Sequence, residues 1–100
     1  MGTDDMIAVL PKNYRSIALY AIGAAHVPQV LVNRRRIEDF SDRGPLTQAG
    51  IQSLQDFEIR DGTVPILGFH DHPNEMWVSH HYRKLAEHCQ KEGWLTIENE

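Results

Sequence analysis

The chain has 100 residues, 41% hydrophobic and 24% charged, with a formal net charge of −4, which points to one domain around one modest core. That balance argues against a nucleic-acid binder, whose basic face is broad. The lone basic run, Arg34-Arg35-Arg36, reads as a solvated edge strand or loop that deters edge pairing. A single cysteine, Cys89, excludes an internal disulfide and a dithiol redox motif. No basic start precedes an apolar core, and no apolar stretch reaches membrane-spanning length, so a cytoplasmic protein with no membrane contact is expected.

Met6–Leu10 is a continuous apolar run ended by Pro11, which predicts a buried strand. Asn13 is a candidate N-cap. Behind it Tyr14, Ile17, Ala18, Ala21, Ile22 and Ala25 recur at helical spacing. Pro28 bars continuation, and Gln29–Asn33 reads as a second strand joined to the first by a right-handed parallel crossover. Ser41–Pro45 is a loop. Leu46, Ile51, Leu54 and Phe57 predict a second helix capped by Thr47, and Arg60–Thr63 a turn.

Val64–His70 and Met76–Val78 follow as strands about a polar link, Asp71–Glu75. Pro65 must open its strand, since it has no ladder donor, and such a position can carry a cis bond. Ser79 caps a last helix whose buried stripe is Tyr82, Leu85, Ala86 and Cys89, and Gly93 stops it in the left-handed conformation. Trp94, Leu95 and Ile97 pack back as a short tail. The order β-α-β-α-β-β-α predicts an α/β domain over 1–100, with a mixed four-stranded sheet flanked by helices, a core at 6–92 and a tail at 93–100.

Five histidines cluster late in the chain. His70 and His72 would share a strand face if the strand extends through both, and the hairpin could bring His80 or His81 close, giving His70, His72 and His81 as a candidate set for zinc or nickel. The plainer reading is a polar turn and a solvated helix face. Trp77 alternates with Met76 and Val78, so it faces the other side of the sheet. If that side is open, Trp77 with the Trp94 tail forms a protein-interaction patch.

The element order, with Tyr14–Leu19, Val27–Val32, Val64-Pro65-Ile66-Leu67 and the downstream Ser79, resembles the thioredoxin superfamily over residues 6–92. It is most similar to the N-terminal domain of glutathione transferases. The resemblance implies a thioredoxin-like fold with a cis Val64–Pro65 bond, and glutathione or another thiol peptide as ligand. It implies Val64 and Pro65 at the cysteinyl backbone, Ser79 at the γ-glutamyl carboxylate, and Tyr14 or Ser16 at the thiol. For that site to exist, Ser79 and the first helix's N-terminus must converge on one cleft. The all-helical second domain of such transferases has no counterpart here, so a binding or accessory role, as monomer or homodimer, is expected over turnover. A protein partner is the remaining alternative.

Overall fold

The computed structural model describes residues 6–38 and 46–98; the expected loop at Ser41–Pro45 lies outside them. Among the described residues seven strands form one sheet: β1 (Met6–Pro11), β2 (Pro28–Val32), β3 (Arg35–Ile37), β4 (Asp56–Asp61), β5 (Val64–His70), β6 (Met76–Ser79) and β7 (Leu95–Ile97). Three helices accompany them: α1 (Tyr14–Ala24), α2 (Gln48–Gln52) and α3 (Arg83–Lys91). The strand order is β3-β2-β4-β5-β6-β1-β7, and every neighbouring pair is antiparallel.

This overturns the thioredoxin-like expectation of a mixed four-stranded sheet flanked by helices. The decisive segment is Asp56-Phe57-Glu58-Ile59-Arg60-Asp61. Its strict polar–apolar alternation is that of a strand with one buried face, and it inserts as β4 between β2 and β5. The helix expected over Leu46–Phe57 shrinks to α2, with Thr47 capping it by accepting from the Gly50 amide at 3.0 Å. The first two long strands are no adjacent parallel pair either. Three strands, β6, β5 and β4, separate β1 from β2. The arginine run spans the β2–β3 turn at Arg34 and the edge strand β3 from Arg35, and the expected tail pairs with β1 as β7.

No cis peptide occurs among the described residues, so Val64–Pro65 is trans. Pro65 needs no cis bond because it sits at a β-bulge. Ile59 pairs with Leu67 and Arg60 with Pro65, leaving Ile66 as the extra residue, and a disrupted ladder is where a residue without an N–H is tolerated.

The helices cover one face. Asn13 caps α1 through the Ser16 amide (3.0 Å), and Tyr14, Ile17, Ala18 and Ala21 are buried, as the spacing predicts. Tyr14 meets Phe69 edge-on and Phe69 packs on Phe57, so α1 lies over the centre of the sheet. Tyr20 of α1 stacks on His88 of α3 at 4.3 Å, which joins the two helices into one layer. Beneath them the paired rows Val30–Ile59–Leu67–Val78–Ile7 and Phe57–Phe69 form the core. Cross-strand partners point to the same side, so the alternate positions form the opposite face. No described helix packs there.

Candidate ligand-binding face

The open face is defined by the register. One row across it runs Arg36, Leu31, Glu58, Gly68, Trp77 and Ala8. Ala8 continues to Glu98, whose amide donates to the Ala8 carbonyl at 2.9 Å. The largest side chain of this row is Trp77 on β6, half-buried on the face opposite the helices. Its indole reaches over Gly68, where an added Cβ would lie 3.1 Å from Trp77 Cζ2. Glycine in a strand interior often marks such a close approach.

Next to Trp77 the ring of His70 is nearly parallel to the indole (28°, centroids 6.1 Å apart). His70 pairs with Asp56 across β4–β5, and its Nδ1 lies 3.3 Å from Asp56 Oδ1. An ionised carboxylate can only accept, so Nδ1 carries the proton and Nε2 is left for a ligand. Asp56 is also held by Arg34 Nε at 3.0 Å. Burial by itself would raise the Asp56 pKa, but the hydrogen bonds from His70 and Arg34 outweigh it, and the carboxyl sits below its ordinary value.

The loop that delivers Arg34 is a two-residue hairpin between Val32 and Arg35, with Asn33 at φ +50° and Arg34 at φ +70°. Asn33 tolerates this and its Oδ1 accepts from the amides of Gln55 and Asp56. Arginine does not favour it. The turn thus holds Arg34 in a strained conformation that ends in the Asp56 ion pair. Glu58 and Arg60, two residues apart on the same face, form a second pair.

Two depressions flank the His70–Trp77 wall. One of about 680 Å³ is lined by Met6, Ala8, Trp77, Glu75 and Glu98, with His70 at its edge. The other, about 320 Å³, lies over Leu31 between Arg34, Asp56, Glu58 and Arg60. No serine, threonine or cysteine lines either among the described residues, so neither offers a hydroxyl or thiol nucleophile from those residue types. A third depression, about 740 Å³, lies on the helix side between α1 and the start of α3, edged by Tyr20, His81 and Lys84.

The expected glutathione residues are not brought together. Tyr14 is buried beneath α1, and its hydroxyl donates to the Pro73 carbonyl at 2.9 Å, beside Asn74 Oδ1 at 3.2 Å. It pins the β5–β6 turn. Burial raises its pKa, so the hydroxyl stays a donor. Ser16 is a first-turn residue whose amide meets the cap. Val64, Pro65 and Ser79 lie toward the other end of the sheet, the length of β5 away, roughly 20 Å at strand rise. Ser79 accepts from the His81 amide at 3.3 Å and opens a 3-10 turn, His80–Tyr82, ahead of α3.

The histidines are dispersed. His70 is on the open face, His72 is exposed in the β5–β6 turn, and His81 edges the helix-side depression. Among the described residues no three His, Cys, Asp or Glu groups could hold a metal ion. Cys89 is buried under α3, and burial first, then the charge of Glu92, pushes its thiol pKa up to about 11. No described helix is long and apolar enough to cross a membrane. Comparison with protein-family models, curated proteins and solved structures finds no match to this chain.

Proposed function

We propose that this chain is a binding module whose ligand lies on the open face of the sheet, against Trp77. One observation carries the reading: a large indole reaches over a glycine and lines a depression of about 680 Å³, on the face that no described helix covers. Met6, 38% exposed, and Leu10, 43% exposed, extend the same apolar patch along β1. An exposed apolar patch rimmed by polar groups marks an interaction site, and an indole supplies much contact area with little side-chain entropy to lose.

The reading can be tested without a known ligand. Small aromatic and aliphatic solutes are titrated into the labelled protein while amide and indole shifts are followed. Saturable shifts are expected at Trp77, Gly68, Met6 and Ala8. Ala8→Leu fills the floor of the depression from the exposed face and should abolish them with the fold unchanged. Shifts gathered instead at Tyr20 and Lys84 on the helix side would sink the proposal.

A further inference from the structure

The depression beside Trp77 differs from the rest of the open face in its charge. Over β2–β4, cations and anions are matched: Arg34 with Asp56, Arg60 with Glu58, and Arg36 with Glu38. Around Trp77 they are not. Glu75 and Glu98 both line the depression, no lysine or arginine among the described residues does, and His70, which also lines it, is turned to Asp56 through Nδ1.

The register gives the depression its shape. Trp77, Ala8 and Glu98 follow one another across three adjacent strands, so the Trp77 and Glu98 side chains rise two strand spacings apart, about 10 Å. Ala8 between them is the low point. Met6 and the Met76 region close the two ends along the strands. The result is an apolar floor at Ala8 with Trp77 on one side and a carboxylate-bearing position, Glu98, on the other.

We infer that this depression takes an organic cation, an ammonium group carried on an apolar body. An ammonium resting above Ala8 would have the Trp77 side chain on one flank. On the other flank it would have the carboxylate of Glu98, with that of Glu75 beyond. The apolar body would cover Met6 and Ala8. An anion would meet two carboxylates there with nothing to offset them. The inference rests on the open-face reading above and narrows it to one ligand chemistry.

Choline chloride and its neutral isostere 3,3-dimethylbutan-1-ol have nearly the same shape and differ in charge. Each is titrated into the full chain at low salt while the Trp77 indole N–H and the Ala8 and Glu98 amides are monitored. Choline is expected to shift them saturably, with the neutral isostere at least ten-fold weaker. Glu98→Gln and Glu75→Gln should each weaken choline several-fold and leave the isostere unchanged, and raising the salt should weaken choline alone. Equal binding of the two solutes would overturn the cation inference while leaving the open face as a binding site. Choline shifts absent from Trp77, with the aromatic solutes still binding there, would do the same. If no solute of any charge reaches Trp77, both readings fall together.

Discussion

Alanine substituted at two glycines should move stability in opposite directions, and the structure says by how much. Gly68 is buried at the middle of β5, opposite Glu58. A Cβ built there meets the Phe57 carbonyl oxygen at 2.3 Å, Glu58 Cα at 3.1 Å and Trp77 Cζ2 at 3.1 Å. An ordinary carbon–oxygen contact is about 3.3 Å or more, so β4 and β5 must part by roughly 1 Å where they are hydrogen-bonded. The closest atom is backbone and cannot swing aside. Overpacking of this kind costs about 1–3 kcal/mol, and each ladder bond weakened adds about 0.5–1.5 kcal/mol. Gly68→Ala should therefore cost about 3 kcal/mol, which is roughly 12–24 °C in Tm for a domain of this size. Gly23 is exposed near the end of α1, and a Cβ added to it would meet nothing within 4 Å. There alanine should add about 0.5–1 kcal/mol through helix propensity. Urea unfolding of both variants and of the double mutant measures the pair, which should add because the sites share no contact. A Gly68→Ala loss below about 0.5 kcal/mol would show that the strands do not approach as closely as described, and the account of Trp77 lying over Gly68 would fail with it.

Tyr14→Phe should lower stability by about 1 kcal/mol, the net worth of one buried hydrogen bond, and should shift the Pro73 and Asn74 signals while leaving any open-face ligand affinity unchanged. Asp56 has a folded pKa below its unfolded value, so it contributes stability above about pH 4 that is lost as pH falls through the folded pKa. Denaturant midpoints of Asp56→Asn should accordingly fall less on acidification than those of the parent, and equal slopes would count against the Arg34–Asp56–His70 linkage. Cys89, with its pKa raised to about 11, should resist thiol reagents at neutral pH in the folded chain and react promptly in urea. Rapid native-state labelling would contradict its burial.

Much of the fold is legible in the sequence, and the part that is not has an identifiable cause. The α1 stripe from Tyr14 to Ala21 and the α3 stripe of Leu85, Ala86 and Cys89 are long and periodic, and both are buried as their spacing requires. Strands β3 and β7 have three residues each, too few for a period to be seen. For β4 the signal is present but shared: Phe57 fits the helical spacing of Leu46, Ile51 and Leu54 as well as it fits the alternation of residues 56–61. Reading it as helix removes the central strand and leaves a thioredoxin-like count.

The site is half visible in the sequence for a related reason. Trp77 stands out by alternation, and His70 is conspicuous, but Asp56 becomes its partner only through the bulge. Counting outward from the Asp61–Val64 pair without it sets Asp56 against Phe69, and Phe57 against Gly68. The extra residue Ile66 shifts the register by one, so that Asp56 meets His70 and Gly68 turns to the open side. No local pattern in Val64–His70 announces that residue, apart from the proline just before it.

The position of β1 has a consequence for how the chain comes together. Its hydrogen-bonding partners are β6 on one side and β7 on the other, so residues 6–11 find no ladder until residues 76–79 and 95–97 exist. During synthesis β1 is made well before either of its partners, and Ile7 and Val9 stay unpaired until β6 and β7 have emerged. Such distant pairings put assembly late and make it slow, with an apolar segment open to wrong partners in the interval. The Gln90 side chain then occupies one donor near the β7 margin, its Oε1 accepting from the Ile97 amide at 2.7 Å, so that amide is not open to a further strand.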